Sequence, residues 1–255
     1  MSQLRGIYCV WRRYFAVYQK SIGFGLITTF AEPLLYLLSF GFGLGSMIGD
    51  FEYHGLHITY RQFIFAGVAA QTVLFQGFFE AAYGGFVRMY YQRIFHAIAV
   101  TPITLSEILW AELLWDASRA STAVFAVFII GCISGDFHVL GAVCALPVVF
   151  LCALLFAGLG LLTAARSRTI DEISYPQFLF VFPMFLFCGV FFPITQLPEA
   201  MRGFAWFLPL TSVTDILRAF TLGVPCFILS PFIILCWLVG LVYCARRAMF
   251  KRLVK

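Results

Sequence analysis

Long apolar runs alternate with short polar breaks along the whole chain. A helix needs about 20 mostly apolar residues to cross a bilayer, and the runs 22–47, 63–85, 139–165 and 227–245 meet that length. Another run is shorter. Only sixteen uncharged residues separate Arg119 from Asp136, so its helix is predicted to start near Ser106 and to carry Glu107, Glu112, Asp116 and Arg119 in its first turns. Glu112 and Asp116 are four apart and Asp116 and Arg119 three apart, which puts them on one helical face and lets the acids share the arginine. The fifth run in chain order, near 175–193, ends at Pro193 and holds seven phenylalanines, Phe182 and Phe185 among them. The runs are continuous, without the alternation of a membrane β-barrel strand. The expected fold is an all-α polytopic membrane protein, one domain of six transmembrane helices over 1–255.

The breaks have their own patterns. Residues 4–20 interleave Arg5, Arg12, Arg13 and Lys20 with Tyr8, Trp11, Tyr14 and Phe15, which suits an amphipathic helix lying in the headgroup layer. Glu32-Pro33 interrupts the first run. An acid there is costly unless it faces the bundle interior or water, and the proline predicts a kink or a restart. Gly41, Gly45 and Gly49 stand at the four-residue spacing that permits close helix packing. The second run carries Gln71, Gln76 and Glu80 and is followed by a polar island, 88–102, with Arg88, Arg93 and His96 but no acid. Between the fifth and sixth runs, Pro198, Pro209 and Pro225 divide 194–224 into two amphipathic pieces, 197–208 and 211–222, the second holding Asp215 and Arg218. They predict short helices at the membrane surface or dipping back into it, where irregular backbone must be satisfied by protein or a wet cavity.

Charge sets the orientation. Of seventeen Lys and Arg, all but Arg61, Arg119, Arg202 and Arg218 fall in segments that share one side if the N-terminus lies inside. That bias predicts cytoplasmic termini, a cytoplasmic segment 86–104 and an extracytoplasmic segment 194–224. The net charge of +5 then reflects topology and headgroup contact, not nucleic acid. At 62% hydrophobic and 11% charged residues, the chain lies far from the composition of a soluble domain. The first apolar run begins only after Lys20 and is too long for a cleavable signal, so it is expected to remain as an anchor.

The chemistry is mostly negative. Eight cysteines are scattered without CxxC spacing and read as small apolar residues, with neither a disulfide framework nor a zinc site. His54 and His57 with Asp50 and Glu52 form too loose a set for structural zinc. Gln19, Phe250 and Val254 precede the three lysines, so the Gly-Lys of a P-loop is missing. HExxH and GxSxG are missing too. No catalytic residue, metal or cofactor is assigned to this chain, and ATP-derived force would have to come from a partner. Glu32 and Glu80 stay open as structural acids, an acid–base pair, or proton-relay groups of a secondary transporter or channel.

Several short patterns stand in order over nearly the whole chain: Trp11-Arg12-Arg13, Ala31-Glu32-Pro33-Leu34, Gly43-Leu44-Gly45, Phe79-Glu80 with Arg88, Gln92-Arg93, Glu112, Ala145-Leu146-Pro147, Phe192-Pro193 with Gln196-Leu197-Pro198, and Phe207-Leu208-Pro209-Leu210 with Asp215 and Arg218. Together they resemble the permeases of ABC type-2 exporters, and among them the nodulation-protein-J type that exports lipo-oligosaccharide. Thr195 stands where that pattern carries an acid, and 94–102 follows the wider family rather than the nodulation branch. The resemblance implies a bacterial inner-membrane half-transporter. Two copies would form a twelve-helix homodimer in the lipid bilayer, bound to a separate ABC ATPase subunit that holds the ATP and Mg.

The resemblance also implies a coupling helix after the second span that seats in the ATPase. Its candidate residues are Arg88, Gln92, Arg93, Ile94, Phe95, His96 and Ile98. The arginines would meet acids of the partner, and Ile94, Phe95 and Ile98 would form an apolar anchor. Candidates for the translocation path or dimer seam are Glu32, Glu80, Glu112, Asp116 and Arg119, with Phe182 and Phe185. Pro193, Gln196, Pro198, Pro209, Asp215 and Arg218 are candidates for an outer gate. The expected cargo is an amphipathic glycolipid, lipo-oligosaccharide or polysaccharide; a hydrophobic drug moved by the same machinery is the alternative. A loop that is basic only for topology and a lipid- or core-facing phenylalanine stripe are the plainer accounts of the same residues.

Overall fold

The computed structural model describes residues 3–253, almost all of them in or between helices; Lys255, one of the basic residues at the C-terminus, lies outside them. Helix α1 (Gln3–Gln19) precedes the first long apolar helix, α2 (Ile22–Ser46). A hairpin of β1 (Phe51–Tyr53) and β2 (Leu56–Ile58), with Phe51 opposite Ile58, leads to α3 (Tyr60–Tyr91). Its turn residues His54 and Gly55 both have positive φ, 51° and 80°, the combination a tight two-residue hairpin of this twist requires. Then follow a short α4 (Ile94–Ala99), α5 (Leu105–Ile133) and α6 (Val139–Arg166). A broken helix α7 (171–187), two short helices α8 (Glu199–Phe207) and α9 (Pro209–Leu222), and α10 (Ser230–Leu253) complete the chain.

Among the described residues, α2, α3, α5, α6 and α10 are long and apolar enough to cross a membrane. The fifth expected span differs. It runs as 3₁₀, α, π and α pieces and stops at Phe187, and 188–193 are bent around Gly189 at φ 74°. Pro176 and Pro183 each lack the N–H that would continue a regular ladder, and the π piece Gln177–Val181 lies between them. At ~1.5 Å per residue α7 is about 26 Å long, short of the ~30 Å hydrocarbon core.

Every residue from 63 to 75 is buried. A helix apolar on all sides must be surrounded, and α3 is: α5 and α6 flank it, α2 and α9 cover the remaining faces. Gly160 of α6 crosses so tightly that a Cβ there would collide with the Phe78 carbonyl oxygen, and one at Gly67 would collide with that of Val190. The glycines of α2 do not work this way. Gly41 meets the Phe65 ring and the Ile64 side chain, Gly45 is in ordinary contact with Arg61, and Gly49, just past the end of α2, faces open space. Their spacing therefore does not mark a backbone crossing within the chain. Nor does α2 restart at Pro33; it continues to Tyr36 and widens into a π stretch, Leu37–Gly43.

The two ends of the bundle are built differently. One gathers α1, α4, the starts of α2 and α5 and the last turns of α3, α6 and α10. The other holds the hairpin, α8 and α9, and there Arg61 bonds Asp136 at 2.9 Å, joining the start of α3 to the turn after α5. Helix α9 is no surface helix: Thr211, Ser212, Thr214 and Arg218 are all buried.

Gly160→Val should destabilise the protein by about 1–3 kcal/mol through overpacking. Gly23→Ala, in open space on α2, should be neutral or stabilising by up to about 1 kcal/mol. Thermal unfolding in detergent checks both; equal melting temperatures for the two variants would contradict the α3–α6 crossing.

Candidate functional site

Arg88 lies in the second of two π-helical stretches that end α3, Glu80–Gly84 and Val87–Tyr91. Eight residues of regular α-helix would leave Glu80 and Arg88 about 80° apart around the axis. The wider π turns bring them back to one face, where Glu112 and Asp116 of α5 also point. Arg88 donates from Nε to Glu112 Oε1 at 2.6 Å, from Nη2 to Asp116 Oδ1 at 3.0 Å and from Nη1 to Glu80 Oε1 at 3.0 Å. Arg119 pairs with the other Glu80 oxygen and reaches Thr29 Oγ1 at 3.4 Å. So Glu112 and Asp116 are not paired with the arginine of their own helix. The planar guanidinium of Arg88 offers donors in several directions at once, and it enters from the helix packed opposite them.

Glu112 and Asp116 are closed off completely, while the Arg88 side chain keeps 13% exposure. Three acids face two arginines, leaving one carboxylate in excess. Among the described residues, Tyr14 Oη, Glu112 Oε2 and Asp116 Oδ2 find no hydrogen-bond partner although they are buried. The Tyr14 ring sits 5.4 Å from the Arg88 guanidinium. Burial, and then the Glu112 carboxylate, push the Tyr14 phenol well above its usual range, so α1 presents a neutral hydroxyl. Helix α1 buries Gly6, Val10 and Tyr14 on one face. Trp11 Nε1 donates to Ser118 Oγ at 3.3 Å, and Tyr14 and Tyr18 pack their rings on Trp115. The helix thus rides on α5. A cavity of about 470 Å³ opens beside this cluster, walled by Tyr14, Tyr18, Glu80, Arg88 and Arg119.

Arg93 turns the chain from α3 into α4 with φ 50°, a left-handed conformation that arginine seldom adopts. Its side chain is exposed, as are those of Gln92 and His96. Phe95 is buried against Met89, Ile108 and Leu109, while Ile94 and Ile98 are half-buried near Trp115. The coupling candidates therefore divide. Arg88 and Phe95 point into their own chain, and Gln92, Arg93 and His96 point out. Two exposed apolar residues beside them, Tyr91 and Val100, were not singled out by sequence.

The other candidates scatter. Glu32 is half-buried and has no ion pair among the described residues. Phe185 is packed inside against Phe75, Tyr36 and Phe191, and Phe182 is half-buried beside Phe75 and Phe178. The open face of α7 carries Tyr175, Phe178 and Leu179 instead. In the segment 194–224, Arg218 is fully buried and forms no ion pair among the described residues. Its Nη2 donates to the Gly189 carbonyl at 2.7 Å and its guanidinium lies 3.6 Å from the Phe63 ring centre. Asp215 Oδ2 accepts from Phe227 N at 2.8 Å and Ser230 Oγ at 2.7 Å, closing the start of α10. Pro209 opens α9, where its missing N–H is harmless. Pro193, Gln196 and Pro198 surround a single 3₁₀ turn, Ile194–Gln196, with Gln196 and Pro198 exposed. Arg202 donates to the carbonyl of Thr195, the position expected to hold an acid, at 2.8 Å.

Residues 5–222 match the family model described as ABC-2 type transporter. The chain is 34% identical to Nodulation protein J of Rhizobium leguminosarum bv. viciae over 216 residues, 85% of this chain and 82% of that protein. It is 33% identical to Nodulation protein J of Rhizobium meliloti (strain 1021), covering 85% and 81%. Inner membrane transport permease YadH of Escherichia coli K12 is 27% identical over 214 residues, 80% of this chain and 82% of that one.

Arg88→Met should destabilise the protein by about 3–5 kcal/mol, because two buried carboxylates lose their cation. Arg88→Met/Glu112→Gln/Asp116→Asn should recover most of that loss. Folded yield and thermal unfolding in detergent check this; a wild-type melting temperature for the single variant would contradict a closed cluster.

Proposed function

The chain belongs to the ABC-2 type transporter family, as the membrane permease of an ABC exporter, and from that premise we propose how it is driven and what it moves. Two copies pair in the bacterial inner membrane with α2, α3, α5, α6, α7 and α10 as six spans each, both termini in the cytoplasm. Each copy seats α4 in a separate ABC ATPase, which holds the ATP and Mg. The cargo is an amphipathic glycolipid, lipo-oligosaccharide or polysaccharide.

The observation that carries this reading is the Arg88 cluster at the root of α4. When the ATPase shifts α4, the left-handed backbone at Arg93 acts as the pivot, and the π-helical end of α3 takes up the displacement. Two charge-assisted bonds from Arg88 tie that end to α5 and a third holds it to Glu80 of its own helix, while Tyr14 and Trp11 tie α5 to α1. The three helices then move as one body at the mouth of the cavity. Arg93, Gln92 and His96 supply the outward contacts, and Tyr91 and Val100 add apolar surface. Glu32, half-buried amid the exposed Leu34, Leu35 and Leu38, belongs to the dimer seam or the path between copies, since an acid at that depth needs protein or water opposite. The nodulation-type relatives support the glycolipid cargo.

Arg93→Glu should lower ATP-driven export by about tenfold or more, a typical coupling magnitude, and reduce ATPase co-purification while the melting temperature stays unchanged. Normal export with normal co-purification would remove α4 from the coupling role. For the cargo, a lipid-linked oligosaccharide should stimulate ATP hydrolysis by the reconstituted permease–ATPase complex. Transport that survives ATP depletion but collapses with the proton gradient would point to a secondary transporter instead.

A further inference from the structure

Two grooves meet at the α4 end of the molecule and share no lining residue with the Arg88 cavity. One is an apolar slot of about 560 Å³, walled by Leu162 of α6, Leu179 and Phe180 of α7, and Trp237 and Leu241 of α10. The other is wider, about 800 Å³, and basic: Arg166 and Arg168 rise from the end of α6, Arg247 and Lys251 from α10. Arg166 lines both. Along α10, Trp237 and Leu241 in the slot continue as Cys244, Ala248 and Lys251 in the basic groove. Their spacing alternates four and three, so they form one stripe of one helix face. From Trp237 to Lys251 that stripe runs about 21 Å at ~1.5 Å per residue. This matches one leaflet with its headgroups, half of a ~40–45 Å bilayer.

The charges over the slot are free. Arg166, Arg168, Arg247 and Lys251 are exposed and form no ion pair among the described residues. The acid at the junction, Glu172, accepts the backbone N–H of Arg168 at 2.6 Å. Arg252 is committed elsewhere: it donates to the Ala164 and Ala165 carbonyls and lies 4.3 Å from the Tyr90 ring centre, so it shapes the floor. Basic residues that serve topology alone can stand anywhere near a span end. Here four line one groove that adjoins an apolar slot through Arg166, and basic pockets between spans are where acidic lipids settle.

We propose that this is a binding site for an anionic phospholipid of the surrounding bilayer. Its phosphate lies among Arg166, Arg168, Arg247 and Lys251, and an acyl chain fills the slot against Trp237. Only the choice of leaflet rests on the orientation proposed above.

The test is native mass spectrometry of the intact permease–ATPase complex released from nanodiscs of equal phosphatidylglycerol and phosphatidylcholine. The wild-type complex should retain phosphatidylglycerol over phosphatidylcholine by about tenfold or more. Arg166→Gln/Arg168→Gln/Arg247→Gln should bring the two lipids to parity. Leu179→Trp, at a position 80% exposed, should reduce retention by crowding the slot while leaving the charges in place. Equal retention of both lipids by the wild-type complex overturns the site without recourse to any variant. So does a charge variant that keeps its phosphatidylglycerol but sheds the ATPase, which would make the groove a protein contact. The readout is lipid mass, so it stands apart from the transport assays that test coupling and cargo.

Discussion

Burying the Glu112 and Asp116 carboxylates in an apolar bundle is tolerable only because Arg88 meets both. A buried charge loses several kcal/mol of hydration, and only excellent geometry and extra hydrogen bonds recover it. That requirement shapes everything nearby. Helix α3 must end in π turns so that Glu80 and Arg88 share a face. Helix α5 must enter the bundle with its acids pointing at α3. Helix α1 must lie over the site, covering Arg88 with the Tyr14 ring. The short α4 that follows is therefore joined to three helices through one guanidinium.

The opposite end solves a related problem without an acid. Arg218 is as deeply buried as Glu112, yet its partners are the Gly189 carbonyl and the Phe63 ring. Backbone carbonyls are left free there because α7 stops at Phe187 and bends, and a buried arginine is what satisfies them. Phe63 begins the continuously buried stretch of α3, and the far end of that helix carries Glu80 and Arg88. The two arginines thus anchor opposite ends of one central helix, one by ion pairs and one by carbonyls and an aromatic face.

Much of the fold was legible because its determinants are local. The apolar lengths of α2, α3, α6 and α10 read directly as helices able to cross a membrane, and Pro209 marks the start of α9. The site was legible in its members but not in its pairing. Glu112, Asp116 and Arg119 share a face by spacing, and that spacing suggested a self-contained triad. What it omitted was Arg88, which looked like a loop residue because it follows the apolar run. The clue available was arithmetic: the buried acids Glu80, Glu112 and Asp116 outnumber Arg119, so another cation had to arrive from outside α5. Phe182 and Phe185 show a limit of another kind, since a phenylalanine stripe reads the same in sequence whether it faces lipid, cargo or core.

Composition and periodicity by themselves determined that this chain is a helical membrane protein. The order of short motifs added its family. These follow from burial and spacing within single segments, where neighbours in sequence are neighbours in space. Which charge meets which was decided only by the packing of α3 against α5. An ion pair depends on distance between segments, here twenty-four residues apart for Arg88 and Glu112. The same holds for the broken α7, the buried Arg218 and the basic groove over its apolar slot. Each joins residues that are unremarkable in sequence and acquire a role only when helices bring them together.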